Sequence, residues 1–540
     1  MKQIFQRTVI AFLLLAILFA GLMTAASAAG SVDTVNLTTG VDDTYSWTND
    51  HDISSDGNLS ITSSNIIYRV TGTLSATAYT SYRNITIDDN LDNVTLVFDN
   101  VSITSPNNND RADSTPVKIG NNSNVTIVLI ANSTNSFICR GTNTATATNQ
   151  AGIYVPLTAS LTIKTENDSS VDPGKLIATG GGYSAGIGGN SNNMNGNITI
   201  EGGHIIASSA THGGNDKNGA GIGGGGANSM IINNSINYDE GFIIICGNAT
   251  VEATGHGSGA GIGGGGTGHN LSGAYSKIEI FGDANVTAVS KLHGAGIGGG
   301  GANSSHATDG PKGINPDGGS IEIYGNAIVN ATSGGNGAGI GTGGTILGKL
   351  GANGVINIYE NASVEAISEG YGAGIGGGGG NTPAAVSLTG GEINIHDNAT
   401  VNATGKSRGA GIGSGGSEQN TPFAGDTIII TGNPIVAATS GRGDGIGSGI
   451  YGTVYTTSSK IMIDSGNVKA AVTKTDVYND FSSNPRDKVF QVALEVGLPN
   501  EYTILEANGT NKGVYNYEST SNNEKRSYLW LPEGNQIVIS

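Results

Sequence analysis

Apolar residues recur at alternate positions in short segments of the chain, and Gly and Asn residues separate these segments. In the clearest copy the alternation falls on Ile243, Ile245, Ala249, Val251 and Ala253. Copies with the same phase begin at Ile278, Ile321, Ile356 and Ile393, and a looser copy begins at Ile428. Because successive side chains of a strand point to opposite faces, the apolar positions of each copy share one face. The pattern predicts two short strands per copy, stacked on their counterparts in the next copy.

A glycine-rich motif follows each copy, and its clearest form is Gly-Ala-Gly-Ile-Gly-Gly-Gly-Gly at residues 259–266. Close versions are centred on Ile187, Ile222, Ile262, Ile297, Ile340, Ile375, Ile412 and Ile446. Successive centres are 34 to 43 residues apart, and a fixed element that recurs at such intervals indicates a solenoid. Within the motif, Ala and Ile are expected to point inward, and the Gly residues are expected to leave the outer side of the strand bare.

The spacing within each copy is more regular than the spacing between copies. The first Ile of a copy lies 19 residues before the Ile of its Gly motif in five successive copies, as from Ile243 to Ile262. The connection from the Gly motif to the next copy varies from 11 to 24 residues. These intervals predict an all-β fold, a right-handed parallel β-helix with two strands and a Gly segment per coil. Eight coils at about 4.8 Å each would give an array of roughly 40 Å.

Four segments are predicted along the chain. Residues 1–28 resemble a signal peptide, with Lys2 and Arg7 before an apolar run and a small-residue cleavage site near Ala28. This segment predicts a secreted or cell-surface protein with no membrane span in the mature chain; the alternative is an uncleaved N-terminal anchor helix. Residues 29–180 form an N-terminal β-rich region with the first coils, and residues 181–466 form the Gly-rich coils. Residues 467–540 are expected to form a small C-terminal β-sandwich-like domain.

Composition and charge exclude several classes of protein. The 540 residues include 89 Gly without a triplet period, which excludes collagen. A net charge of −18 leaves no basic stripe for phosphates, so a nucleic-acid partner is not expected. The two cysteines, Cys139 and Cys246, provide neither a disulfide framework nor zinc-ligand spacing.

The predicted register places a column of rings on the outer face. If the paired Ile residues point inward, Phe281, Tyr324, Tyr359 and His396 follow one another in successive coils as an exposed ladder. Beside them would lie Glu279, Glu322, Asn357 and Asn394. Rings next to amide and carboxylate groups suit sugar faces and hydroxyls, so these eight residues are candidate ligand contacts. The alternative is a ladder that only stabilises the stacked strands.

Other candidate chemistry is limited. No repeated carboxylate pair indicates catalysis, and we expect no catalytic residues, no resident metal and no cofactor. Glu279 and Glu322 could approach each other across coils, where a bound Ca²⁺ ion would relieve their repulsion. Asn-x-Ser/Thr sequons are abundant, for example at Asn248, Asn285 and Asn402, so a glycoprotein is expected if the host has the machinery.

Several segments resemble a known group of proteins. The segments Val94–Ile103, Ala151–Val155, Leu161–Ile163 and Tyr183–Gly189 are similar to secreted carbohydrate-binding β-helix proteins of anaerobic bacteria and archaea. The Gly-rich array is similar to large adhesin-like surface proteins of the same organisms, and Tyr528–Pro532 resembles the closing strand of the module that often follows such arrays. The resemblance implies a pectate-lyase-like fold that binds cellulose or acidic sugars without clear lyase activity.

Together these features predict a non-catalytic carbohydrate-binding, adhesin-like protein, secreted or at the cell surface. Its expected partners are a polysaccharide or glycoconjugate bound along one face of the β-helix, and cell-surface neighbours. One alternative is a purely structural surface or envelope protein. The other is a pectate-lyase-like polysaccharide lyase.

Overall fold

The computed structural model describes most of the predicted array and its strands. The described residues are 33–37, 51–53, 59–75, 84–105, 115–140, 150–166, 172–210, 218–226, 241–266, 277–302, 319–345, 354–380, 391–418 and 426–450, together with strands between 460 and 539. Among them, no helix has the length and hydropathy needed to span a bilayer. The predicted signal peptide with its cleavage site near Ala28, and most of the variable connections after the Gly motifs, lie outside the described residues.

Each coil of the array contributes two short strands to parallel ladders, as the alternation predicted. The first ladder consists of Asn124–Leu129, Ser160–Thr165, Asn197–Ile200, Ile243–Ile245, Lys277–Ile280, Ser320–Ile323, Val355–Ile358, Glu392–Ile395, Thr427–Thr431 and Lys460–Asp464. The second ladder consists of Thr134–Ile138, Lys175–Thr179, His204–Ser208, Thr250–Gly255, Asn285–Ser290, Ile328–Ser333, Ser363–Ser368, Thr400–Gly405, Ile435–Ser440 and Val468–Val472. Pairing of Val436 with Val468 carries the second ladder beyond the predicted boundary at Gly466.

The third ladder is formed by very short strands, most of them an Ile-Gly pair from the Gly motif. Its parallel members are Leu59–Ile61, Ile85–Ile87, Val117–Lys118, Ile153–Tyr154, Ile187–Gly188, Ile222–Gly223, Ile262–Gly263, Ile297–Gly298, Ile340–Gly341, Ile375–Gly376, Ile412–Gly413 and Ile446–Gly447. His51–Ile53 pairs antiparallel with the first of them and completes a 13-stranded sheet. Twelve parallel rungs span roughly 50 Å at about 4.8 Å per step. The array therefore exceeds the predicted eight coils because the coils begin well before the first Gly motif.

Near the N-terminal end the first two ladders merge. Ile66–Ser75 and Val94–Thr104 are long strands, and Val94–Thr104 pairs with strands of both ladders in the next coil. With Asp33–Asn36 paired to Ile66–Ser75, the two ladders form one 23-stranded sheet. The chain is thus an all-β parallel β-helix. Its right-handed sense stays a prediction.

Five strands near the C-terminus pair antiparallel instead. Val489–Glu495 pairs with Arg526–Pro532, and Asn500–Glu506 lies between Asn511–Tyr517 and Asn535–Ile539. Antiparallel pairing of this kind distinguishes the segment from the coils. A closed sandwich over residues 467–540 stays a prediction, as do the other domain boundaries.

The interior of the array is a stack of matching aliphatic side chains. Every inward position predicted in the five regular copies is buried, and Ile278, Ile321 and Ile356 follow one another in register. Full burial of one such side chain contributes about 1.5–3 kcal/mol, and it is obtained only when the neighbouring coil is present. The coils therefore stabilise one another as a continuous column.

The Gly motif differs from the predicted bare-faced strand. The Ala295 amide donates to the Gly299 carbonyl at 2.8 Å, and matching bonds in the other coils show that the chain reverses around the central Ile. A Cβ on Gly301 would lie 2.3 Å from the carbonyl oxygen of His293 in the same coil, so the two arms of the reversal touch. Only the Ile-Gly tip joins the third ladder, with Gly298 at φ +126.

The predicted bare outer side is therefore wrong: the motif is almost entirely buried, as at residues 294–301. A Cβ on Gly296 would lie 2.6 Å from the Thr332 amide nitrogen and 2.7 Å from the Gly339 carbonyl oxygen. These atoms belong to the backbone of the next coil, which occupies the space where a side chain would stand. Glycine is required here because backbone packs directly on backbone.

Candidate ligand-binding face

The predicted ring column stands where each first-ladder strand turns toward the second ladder. Backbone hydrogen bonds continue the ladder through these residues, with the Tyr324 amide donating to Ile280 and the Tyr359 amide donating to Ile323, both at 3.0 Å. The inner neighbours Ile280, Ile323 and Ile358 are buried, so alternation directs the rings outward. Sequence register alone thus located the column correctly.

The four rings form one continuous stack. Ring centroids are 4.8 Å apart for Phe281–Tyr324, 4.9 Å for Tyr324–Tyr359 and 5.0 Å for Tyr359–His396. The planes are nearly parallel, with angles of 6°, 8° and 13°. All four residues are half-buried, because the faces of neighbouring rings cover each other. What the column presents to solvent is therefore a row of ring edges, and the expected flat sugar platform is absent from its middle.

At the end of the ring stack where Phe281 lies, the preceding coil carries a cysteine in place of a ring. Cys246 occupies the position before Phe281, since Ile245 pairs with Ile280. Burial, followed by the charges of Glu201 and Glu279, raises the pKa of the Cys246 thiol to about 11. The thiol is therefore protonated at neutral pH and is a small, half-buried apolar group at the repeat position before the first ring.

The predicted flanking column lies beside the rings, and all four of its members are half-buried. Glu279 and Glu322 are direct partners in adjacent coils, and Lys277 forms an ion pair with Glu279. Lys277 thus supplies positive charge next to the carboxylate pair. Among the described residues, no group of three or more His, Cys, Asp or Glu could hold a metal ion. Ca²⁺ between the two carboxylates stays a prediction.

Further along the flanking column, amides replace the carboxylates. The Asn394 Nδ2 donates to Asn357 Oδ1 at 2.9 Å and to Glu392 Oε1 at 2.8 Å. The two amides form a pair that follows the coil axis over two adjacent coils. Together with the neighbouring phenols and carboxylates, this pair can offer hydrogen bonds to an extended hydroxyl-rich chain that crosses these coils.

An acidic pair on the other side of the rings was missed by sequence reasoning. Glu360 and Asp397 adopt φ of 57° and 58°, at a turn position that Gly282 and Gly325 fill in earlier coils. Non-Gly residues in the left-handed region carry strain, and such positions often cluster at functional sites. The available signal was the replacement of Gly by an acid at one fixed repeat position.

Hydrogen bonds hold these two carboxylates along the turn. Glu360 Oε2 accepts from the Gly325 amide at 2.9 Å, and Asp397 Oδ2 accepts from the Glu360 amide at 3.3 Å. Asp397 Oδ2 also lies 3.2 Å from His396 Nδ1. Each carboxylate therefore satisfies a backbone donor in the preceding coil and brings negative charge next to the last two rings.

The surroundings keep both phenols protonated. Burial raises the pKa of Tyr324 and Tyr359 well above the usual range, and the negative charges of Glu279, Glu322 and Glu360 add to the shift. A neutral phenol can donate as well as accept a hydrogen bond. The ring edges and the flanking columns thus form a mixed surface of hydroxyls, amides and carboxylates.

The repeat that carries this face matches a known family. The family described as beta helix repeat matches residues 198–226, 278–301 and 393–416. Each match extends from a first-ladder strand to the Gly motif of the same coil. The matched segments are β-helix repeats, and the parallel ladders continue through the coils between them. No curated protein and no solved structure matches the chain.

The β-helix repeats account for the interior and for the tight Gly reversal. The ring column and its neighbours use only positions that the interior leaves outside. Binding chemistry can therefore vary at these outer positions without disturbing the packing of the coils.

Proposed function

We propose that the protein is a non-catalytic, polysaccharide-binding β-helix, secreted or displayed at the cell surface as an adhesin-like protein. The observation that supports this best is the unbroken stack of rings across four coils, flanked in two of them by a hydrogen-bonded pair of amides. A rigid strip of this kind suits an extended, repetitive ligand, because each coil offers similar groups at the same short interval.

The covered ring faces limit how a sugar would bind. Stacking of a sugar ring on Tyr324 or Tyr359 would require opening the column, so contacts fall on ring edges, phenol hydroxyls and the flanking side chains. Asn357 and Asn394 then become the central residues of the site, since their amides are already aligned with the coil axis. The ligand would be recognised mainly by hydrogen bonds to its hydroxyl groups.

Charge selects the class of polysaccharide. Glu279, Glu322, Glu360 and Asp397 border the rings, and Lys277 is paired with Glu279. Negative charge at this density repels uronates at low ionic strength. We therefore infer that the ligand is a neutral polysaccharide such as a β-glucan, and that acidic sugars bind weakly unless a divalent cation bridges them.

The test is a glycan array and affinity electrophoresis with the double substitution Asn357→Ala/Asn394→Ala. Binding of a neutral polysaccharide should weaken about ten-fold or more, as expected when two hydrogen-bonding amides are removed. The matched control is Asn285→Ala/Asn402→Ala, which removes two exposed amides from the second ladder and should leave binding unchanged. Equal affinity of both variants and the parent chain would disprove this site.

A purely structural role is the second candidate, and the ring geometry favours it. Because the four rings stack, their inner faces are covered by neighbouring rings, and the stacking contributes to the cohesion of the coils. Absence of binding to neutral and acidic glycans, with a clear loss of stability when a ring is removed, would support this candidate. Release of unsaturated uronides from pectin in the presence of Ca²⁺ would instead overturn the non-catalytic proposal.

A further inference from the structure

Among the described residues between 241 and 450, positive charge is concentrated along one edge of the array. In the described residues between 241 and 450, the Lys and Arg residues are Lys277, Lys291, Lys406, Arg408 and Arg442. All but Lys277 lie in the turns between the second and third ladders, and we call these four residues the basic corner. Lys291, Lys406 and Arg442 are exposed, and Arg408 is half-buried.

The turns between the first and second ladders carry the opposite charge. Asp283, Glu360 and Asp397 lie there and are exposed, and we call them the acidic corner. Between residues 241 and 450, the described residues of these turns include no Lys or Arg. Two edges of the same solenoid, separated by the outer face of the second ladder, thus have charges of opposite sign.

The two corners also match in spacing. Gly441, beside Arg442, donates to the carbonyl of Gly405, beside Lys406, so these cations are one coil apart. Glu360 donates through its amide to Asp397, so these carboxylates are also one coil apart. Both pairs therefore repeat at about 4.8 Å along the axis. If two molecules lie side by side, sliding one of them along the coil axis can bring both cations opposite both carboxylates at once.

Local contacts hold two residues of the basic corner, Lys406 and Arg408, in place. The Arg408 guanidinium lies 5.8 Å from the Tyr371 ring centroid and donates through Nη1 to the Ser417 carbonyl at 3.3 Å. Lys406 Nζ contacts Glu369 Oε1 at 2.7 Å, and the Tyr371 hydroxyl contacts Glu418. Glu369, Glu418 and the buried Asp444 reduce the local charge, but the ordered Lys406 and Arg408 side chains lose little freedom on binding.

We propose that the basic corner of one molecule binds the acidic corner of a second copy of this chain, side by side. The two patches differ, so the contact is heterologous and leaves a free patch at each end. Contacts of this type extend into open ribbons unless a rotation closes them. Because charge complementarity of exposed groups mainly controls encounter and specificity, association should be salt-sensitive.

The test is sedimentation velocity of the purified full chain over a range of concentrations at low salt. The parent chain should sediment as a concentration-dependent mixture of single and larger species, and about 0.5 M NaCl should dissociate it. The charge reversals Lys406→Glu/Arg442→Glu and Glu360→Lys/Asp397→Lys should each weaken association at least about ten-fold. A parent chain that sediments only as a monomer at all concentrations and salts would overturn the proposal.

Mixing the two variants provides the specific signature. Each variant alone has two corners of like charge, whereas an equimolar mixture restores opposite charges across the contact and should associate again. Glu365→Lys, an exposed charge reversal on the second ladder, is the matched control and should associate like the parent chain. Failure of the mixture to associate, with both variants folded by circular dichroism, would also overturn the proposal.

A second acidic-corner variant guards against a loss of association that comes only from a disturbed turn. Because Glu360 and Asp397 accept backbone hydrogen bonds, Asp283→Lys reverses a charge of the same corner, leaves those bonds in place and removes only a side-chain bond from Asn326 Nδ2. Its association should also weaken, and association equal to that of the parent chain would count against the acidic corner. The glycan-binding test uses uncharged substitutions on the first ladder, so loss of glycan binding and loss of self-association are independent results.

Discussion

The Gly motif and the ring column both recur coil after coil, yet the repeat maintains them in different ways. The Gly motif keeps nearly the same residues because its backbone touches the next coil, as Gly298 does at Gly341. The ring column keeps only a flat shape, and Phe281, Tyr324 and His396 occupy equivalent places. Repeat positions that pack backbone against backbone tolerate no side chain. Repeat positions on the outer face retain only the property that ring stacking or a ligand requires.

The sharpest contrast is expected when a methyl group is placed in the Gly motif. Gly298→Ala would put Cβ 2.0 Å from the Gly341 carbonyl oxygen at φ +126, so both a clash and backbone strain oppose it. We expect a loss of about 4 kcal/mol or more in the free energy of unfolding, or failure to fold. The measurement is urea unfolding followed by circular dichroism.

Gly224→Ala is the matched control within the same kind of motif. Its Cβ would meet the nearest backbone atom at 3.0 Å and the next at 3.7 Å, and its φ lies outside the strained region. The loss should be clearly smaller, about 1 kcal/mol. Equal effects at both positions would mean that backbone contact is not what preserves the motif.

A smaller effect is expected in the ring column. Tyr324→Leu keeps an apolar group but removes stacking contacts with both Phe281 and Tyr359. We expect a loss of about 1–2 kcal/mol, measured by the same unfolding experiment. Because the interior is untouched, the variant should retain its strand content. A neutral result would show that the ladder contributes nothing to stability and would weaken the purely structural candidate.

The smallest effect concerns pH. Tyr324 and Tyr359 have folded-state pKa values raised above the ordinary value of 10.0, so the folded chain holds its phenol protons longer than the unfolded chain. Their contribution to stability is complete below pH 10 and decreases as pH rises further, through the folded pKa. In Tyr324→Phe/Tyr359→Phe, the part of the decrease in stability above pH 10 that these two phenols cause should disappear.

Ultraviolet difference titration checks the same point directly. The chain has 18 Tyr residues, and Tyr324 and Tyr359 should ionise late in the folded protein and at the ordinary pH after unfolding. The double Phe variant should show a late phase that is smaller by two phenols. A single common ionisation in the folded chain would contradict the stacked, half-buried geometry.

The interior and the ring column could be predicted because both follow from one physical rule. Alternation along a strand determines which side chains face the core, so the positions of Ile278 and Tyr324 follow from the spacing alone. Period and register carried this information because every coil repeats it. In the long strand Val94–Thr104 the alternation shifts by one residue at Asp99 and Asn100, and this shift marks the corner between the two ladders.

The Gly reversal and the charged corners required the structure. In Gly-Ala-Gly-Ile-Gly the residues alternate as in a strand, and only the hydrogen bond from Ala295 to Gly299 shows that the chain turns back. The segregation of Lys406 and Arg442 from Glu360 and Asp397 depends on which turn falls on which edge. Sequence spacing gives the order of turns but does not by itself place them around the coil.

The ring stack has a further consequence for size. Each of the four coils from Phe281 to His396 contributes one ring and one step of about 4.8 Å, so the length of the ring column is set by the number of these coils. Gain or loss of one coil, such as the 35-residue unit from Ile321 to Val355, would lengthen or shorten the ring column by one such step without changing its chemistry. The repeat therefore sets the length of the ring column in fixed increments of one coil.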